Sequence, residues 1–214
     1  MSLESSEAIR KKILAERRSL SKERVEELSG IIISRFLTLS QIQDWQLKRR
    51  LNVALYKAFP SELSLGGLES VFNDMDWPLF FPRVMTSGLL EFVEVPANMR
   101  LQNQSGDSPW VRGEYGVLEP HPGLKSVTSD CLDLVFVPGV AFGPHGERIG
   151  RGKGHYDRAL DRVSKALRIA LVFDFQIQAH LDQNPWDQPV HWVISEKREF
   201  RTPRVDQWFA ELQK

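Results

Sequence analysis

Three short and almost uninterrupted apolar runs, LNVALYKAF (51–59), DLVFVPGVAF (133–142) and RIALVFDF (168–175), set the tightest limit on the fold of this chain. Strands that are apolar at nearly every position must be covered on both faces, which points to a mostly parallel sheet between layers of helix. Helical patterns lie between and around them. Residues 6–19 place Ile9 and Ile13 four apart amid Arg10, Lys11, Lys12, Arg17 and Arg18, and Ser21 caps a second helix through about residue 39 with Val25, Leu28, Ile32 and Phe36 on one face. These two form an expected helical hairpin at about 6–39. SELSLGGLESVF (61–72) reads as a helix starting at the carboxyl end of the first strand, which puts Glu62 where open α/β sheets bind ligands. WPLFFPRV (77–84) and LLEFVEV (89–95) read as adjacent strands, HWVISEK (191–197) as a short strand and VDQWFAEL (205–212) as a last helix. The expected fold class is α/β: one three-layer α/β/α domain over residues 1–214 with a mostly parallel central sheet.

Charge and cysteine content remove several function classes. Twenty-eight Lys and Arg balance 28 Asp and Glu, so no overall field favours a polyanion, and nucleic acid is not an expected partner. The one cysteine, Cys131, excludes an internal disulfide and a cysteine metal knuckle, and reads as a small core residue. The opening MSLESSEAIRKKILAERR has no apolar signal core, and no run approaches the roughly 20 apolar residues of a membrane span. The expectation is a cytoplasmic monomer with no membrane partner. Residues 96–123 read as a long ordered loop, a kind of segment often used for binding. Its Trp110, Tyr115 and Pro120 either line a flat aromatic ligand or pack the loop onto the domain.

The segment GPHGERIGRGKGHYD (143–157) carries the chemistry. Gly146, Gly150, Gly152 and Gly154 allow tight turns with exposed N–H groups, Arg148, Arg151 and Lys153 supply charged donors, and a helix follows with Tyr156, Leu160, Val163 and Leu167 on one side. That combination suits a phosphate chain. It is neither a P-loop, since Gly154 follows Lys153, nor a dinucleotide fingerprint. Asp157 either ligates Mg²⁺ beside the phosphates or pairs with Arg158 or Arg162. His155 contacts phosphate or packs in the turn. The five histidines have no zinc-ligand spacing.

DLVFVPGVAFGPHGERIGRGKGHYDRAL, with IRKKILAERRSLS, Glu62, PLFFPRV, YGVLEP and NPWDQPVHWVIS around it, resembles the 5-formyltetrahydrofolate cyclo-ligase family from the first helix to about residue 197. The family's α/β architecture is similar to that of sugar-phosphate isomerases and coenzyme A transferases. The resemblance implies cyclisation of 5-formyltetrahydrofolate, polyglutamylated or not, to 5,10-methenyltetrahydrofolate with ATP and Mg²⁺ as cofactors and with release of ADP and phosphate. It implies catalytic roles for Arg151 and Lys153. It places ATP against Arg10, Lys11, Lys12, Arg17, Arg148, Gly150, Arg151, Gly152, Lys153, Gly154, His155, Tyr156 and Asp157. Folate falls to Phe59, Glu62, Leu63, Trp110 and Tyr115, and metal to Asp157 and Asp187. The chain departs from the family pattern at Gly143, where an Asp is usual, at His155, where a Tyr is usual, and at His191, where an Asp is frequent. Two other readings are a noncatalytic nucleotide- or anion-binding relative and an ATP-dependent enzyme for another small substrate.

Overall fold

The computed structural model describes residues 4–39, 42, 50–100 and 108–212. Its centre is an eight-stranded sheet built from β1 (Val53–Ala54), β2 (Leu79–Val84), β3 (Leu90–Glu94), β6 (Ser126–Val127), β7 (Leu134–Phe136), β10 (Leu167–Leu171), β11 (Trp192–Ile194) and β12 (Glu199–Arg201). The spatial order is β12-β11-β10-β7-β1-β2-β3-β6. The middle strands β11, β10, β7, β1 and β2 run parallel, while β12, β3 and β6 pair antiparallel at the two edges.

Burial on both faces follows from the strand period. Val53, Leu55, Leu134, Phe136, Ile169 and Ile194 pack on one side with α2 (Lys22–Thr38), α3 (Gly66–Asp74) and α6 (Pro203–Leu212), through Ile32, Phe36, Leu68, Phe72 and Trp208. The alternate residues Ala54, Val135, Val137, Ala170 and Val193 pack on the other side with Ala159 and Leu160 of α5 (His155–Asp161). A large mostly parallel sheet with helices on both faces is therefore present. Cys131 packs half-buried against the second cluster, and burial raises its thiol pKa. No helix among the described residues is long and apolar enough to cross a membrane.

The first two helices have different partners. Ser5 caps α1 (Ser6–Ser19) by accepting from the Ala8 N–H at 3.3 Å, and Ser21 caps α2 by accepting from Arg24 at 3.2 Å. Ile9 and Ile13 of α1 bury against Val140, Ala141 and Ile149, whereas α2 joins the large core cluster.

Several elements differ from the sequence expectation, but the strand of the 133–142 run stops before Pro138-Gly139, where that pair predicts a stop, with 134–136 in the sheet. The chain then turns into a separate hairpin of β8 (Ala141–Phe142) and β9 (Arg148–Ile149). The helix expected from residue 61 begins at Gly66, because Leu63 and Leu65 are both buried two residues apart, a spacing that extended chain satisfies and helix does not. The helix after the glycine loop ends at Asp161, since Leu167 pairs with Leu134 as the first residue of β10. Within the expected loop 96–123, α4 (Ala97–Arg100) and a hairpin of β4 (Trp110–Arg112) and β5 (Leu118–Pro120) form, and residues 101–107 lie outside the described residues.

Candidate active site

From β1 the chain passes to β2 on one side, while β7, the neighbour of β1 on the other, leads on to β10. The crevice beyond the carboxyl ends of β1 and β7 is thus a topological switch point of the open sheet, where such folds bind ligands. A cleft of about 1160 Å³ opens there. Phe59 and Glu62 enter it from the turn after β1, Pro138 and Gly139 from the end of β7, and residues 148–158 from the glycine loop and the start of α5.

Glu62 is the hub of the floor. Its Oε1 pairs with Arg17 Nη2 at 3.0 Å and accepts from Arg151 Nη2 at 2.9 Å, and its Oε2 accepts the Phe59 N–H at 3.2 Å. Arg17 is 1% exposed, and it also donates to the carbonyls of Ser61 at 2.9 Å and Gly139 at 3.4 Å. One arginine from α1 thereby ties the end of β1 to the end of β7. The Arg151 guanidinium carbon stands 3.9 Å from the centroid of the Phe59 ring. Tyr56 and Tyr156 lie close by, and burial reinforced by the Glu62 charge holds both phenols well above the usual tyrosine range, so both stay protonated. Tyr56 donates to the Leu63 carbonyl at 3.3 Å.

The glycine loop is held from two sides. Arg10 Nε donates to the Gly150 carbonyl at 3.0 Å, and Arg148 pairs with Asp157 and donates to the Pro138 carbonyl at 3.4 Å. Gly154 precedes α5 with φ +66°, a left-handed backbone conformation that a side chain would strain. Asp157 pairs with Arg148 and, among the described residues, not with Arg158 or Arg162. Its Oδ1 serves Arg148 and accepts the Gln188 N–H at 3.4 Å, while its Oδ2 makes no hydrogen bond among the described residues. Asp187 Oδ2 accepts from the Asn184 backbone at 2.7 Å and closes the 184–187 turn. Lys153 is exposed on the cleft wall, and its ammonium has no partner among the described residues.

The structure brings Arg10, Arg148, Gly150, Arg151, Gly152, Lys153, Gly154, His155, Tyr156, Asp157, Asp187, Phe59, Glu62 and Tyr115 to this one cleft, with Arg17 beneath it. Besides Arg17, four residues of the sequence expectation do not line it. Lys11 and Lys12 are exposed on the outer side of α1, because Ile9 and Ile13 turn the face bearing Arg10 and Arg17 inward. Leu63 is 3% exposed in the main core. Trp110 packs edge-on to Phe81 at 4.8 Å, with the Lys57 ammonium 4.3 Å over its ring. The apolar wall comes instead from Pro82, Val84, Leu90, Val117 and Leu118. Sequence reasoning also passed over Trp186, an exposed cleft residue. Its signal was an indole inside the turn-forming NPWD.

The three departures fall in different places. A Cβ at Gly143 would stand 2.3 Å from Glu147 Oε2, so the Glu147 carboxylate fills the space that a larger residue would need. His155 bridges two segments: Nδ1 lies 2.7 Å from the Gly88 carbonyl and Nε2 lies 3.3 Å from the Tyr115 hydroxyl. A carbonyl only accepts, so Nδ1 donates to Gly88, and Nε2 shares a hydrogen bond with the Tyr115 hydroxyl. His191 does not line the cleft. It accepts the Arg168 N–H at 3.1 Å, and burial with the charges of Arg168 and Arg204 lowers its pKa to about 4.

Fold and cleft together define an open-sheet α/β enzyme whose ligand crevice joins a glycine-rich cationic loop to a carboxylate and an aromatic ring. The family model described as the 5-formyltetrahydrofolate cyclo-ligase family matches residues 2–196, and the chain belongs to that family. A 5-formyltetrahydrofolate cyclo-ligase of Haemophilus influenzae is 28% identical over 163 residues, covering 73% of this chain and 80% of that protein. The solution structure of Aquifex aeolicus 5,10-methenyltetrahydrofolate synthetase superposes with a TM-score of 0.73 at 31% identity, over 92% of each chain. The corresponding synthetase from Mycoplasma pneumoniae, at 21% identity, has a TM-score of 0.67 over 91% of this chain and all of that one, a likeness of fold.

Proposed function

We propose that this cleft binds ATP and 5-formyltetrahydrofolate side by side and carries out the family's ATP-dependent cyclisation. The observation that carries this reading is one continuous cleft with the glycine loop at one part and Glu62, Phe59 and an apolar wall at the other. Its 1160 Å³ exceeds the range of roughly 300–1,000 Å³ usual for a single small ligand. In the reaction the formyl oxygen attacks the γ-phosphorus and ADP leaves. N10 then attacks the activated formyl carbon and gives up its proton, and phosphate departs carrying the former formyl oxygen. Without phosphorylation that oxygen is a poor leaving group.

Charge grows on the transferring phosphoryl oxygens, and preorganised cations and N–H groups in the loop are suited to hold it. Among the described residues the Lys153 ammonium has no competing partner, and Arg10 fixes the loop through Gly150. Glu62 accepts paired N–H groups of the pterin, and the apolar strip from Val84 to Leu118 receives the aminobenzoyl ring. Asp157 and Asp187 each keep one carboxylate oxygen without a hydrogen bond among the described residues. That donor set fits Mg²⁺, which binds through one or two carboxylates plus phosphate and water. Bound there, the ion neutralises phosphate charge. No cluster of three acidic, His or Cys side chains among the described residues forms a cage for it, consistent with a metal carried in by the nucleotide. The reading takes the protein as a monomer, with cytoplasmic folate pools as the natural source of substrate.

The test is growth of 5,10-methenyltetrahydrofolate absorbance from purified protein, ATP, Mg²⁺ and 5-formyltetrahydrofolate. ATP-dependent growth is expected. Folded protein that gives none overturns the reading.

A further inference from the structure

Arg151 covers both features that a flat, polar heterocycle would use on the floor of the cleft. Its Nη2 donates to Glu62 Oε1 at 2.9 Å, and its guanidinium carbon lies 3.9 Å from the Phe59 ring centroid. Glu62 Oε1 already receives Arg17, and Oε2 already accepts the Phe59 N–H. With Arg151 in place, the carboxylate is crowded with donors and one ring face is shut.

The two arginines on Glu62 differ in freedom. Arg17 is 1% exposed and tied to two carbonyls at the strand ends, so it stays. The Arg151 side chain is 43% exposed and makes no other hydrogen bond among the described residues, so it can swing without unpacking the core. It also belongs to the glycine loop, next to Gly150 and Gly152. A triphosphate seated there carries several negative charges and matches the guanidinium fork, whereas Glu62 offers one charge and keeps Arg17 when Arg151 departs.

We infer that Arg151 gates the pterin subsite: it lies on Glu62 and Phe59 in the free protein, and a polyphosphate in the glycine loop draws it away and opens both to the folate. The inference rests on the function proposed above. It makes the two ligands positively linked, with nucleotide binding first along the favoured route, and linkage requires each to tighten the other by the same factor.

Calorimetric titration of 5-formyltetrahydrofolate into the wild-type protein and into Arg151→Ala and Arg151→Lys, with and without a non-hydrolysable ATP analogue and Mg²⁺, tests it. In the wild type the analogue is expected to tighten folate by about tenfold or more, a coupling of about 1.4 kcal/mol. In R151A folate without analogue binds as tightly as it does to the loaded wild type, and the factor falls to about twofold or less. R151K keeps a charge but loses the planar fork and stack, and gives an intermediate factor. Nucleotide affinity falls in both variants, so the ratio is what reads the gate. If R151A does not fold, R151K decides alone. Full linkage in the variants, or none in a wild type that binds both ligands, overturns the gate and leaves the function standing. A folded wild type that binds neither ligand overturns both.

Discussion

On the floor of the cleft the side chains of Arg17 and Arg148 are 1% and 4% exposed and each closes on a carboxylate, whereas on its walls Lys153 stands in solvent and Trp186 is 67% exposed. The floor charges join separate elements: α1 to the distant turn after β1, and β9 to α5 across the glycine loop. They hold the fold and shape the crevice at once. Among the described residues neither the Lys153 ammonium nor the Trp186 indole makes a hydrogen bond or ion pair, which leaves both available to a ligand. Substitution should therefore separate the two regions, with stability and activity lost together on the floor and activity lost alone on the wall.

The largest effect is expected at Glu62. Glu62→Leu leaves Arg17 buried without its carboxylate, and breaking a buried pair in this way costs about 3–5 kcal/mol. Denaturant unfolding should show that loss together with abolished turnover. A change under about 1 kcal/mol would mean that Arg17 is not held by charge, and the distinction between the regions would fail. Lys153→Ala is the counterpart. Removing a preorganised donor to developing charge costs about 10²–10³ in rate, while an exposed substitution shifts stability by about 0.5 kcal/mol or less. A melting-temperature drop like that of a core truncation would move Lys153 to the floor.

That division also sorts what the sequence could reveal. Val53, Leu134 and Ile169 announced buried parallel strands because their neighbours are apolar too, and the glycines of 150–154 announced a turn that only glycine makes easily. Glu62 was legible from its place after the first strand. The partner of each charge was not, because pairing is set by tertiary geometry. Asp157 reaches back to Arg148 across a strand-to-helix turn, and Arg151 crosses to Glu62, 89 residues away. Trp110 and Tyr115 had the same standing as aromatic loop residues. The register of β4 against β5 puts one on Phe81 and the other on His155, and nothing local encodes that difference.

A smaller effect tests the support beneath the floor. Arg168 donates to Gln188, to the Pro189 carbonyl and to the Leu160 carbonyl, joining the 184–190 segment to α5, and His191 accepts its backbone N–H. The folded pKa of His191 is lowered to about 4, so between the ordinary value near 6.5 and about 4 the unfolded chain takes up a proton that the folded one refuses. The stability it contributes is complete above pH 6.5 or so, declines through that window and is gone below about pH 4. Its size is at most about 3 kcal/mol. Unfolding free energies of wild type and His191→Asn at pH 7, 5.5 and 4 should converge as the pH falls, since the variant lacks this term while sharing the titration of the carboxylates. Parallel curves would show that His191 is not kept neutral by burial.

The smallest effect is expected at Trp186. The turn that carries it is closed by the Asp187 N–H donating to the Asn184 carbonyl at 3.0 Å and by the Asn184 N–H donating to Asp187 Oδ2 at 2.7 Å, and neither bond involves the indole. The Gln188 N–H then anchors the segment to Asp157, again through backbone. With most of its surface already in water, the ring contributes little burial to lose. Trp186→Ala should leave the unfolding free energy unchanged to within about 0.5 kcal/mol. A loss near the 3–5 kcal/mol of a buried tryptophan would show the indole packed like Trp192 and would collapse the contrast between wall and floor. With stability unchanged, any loss of ligand affinity in the variant reports contact with the ligand alone.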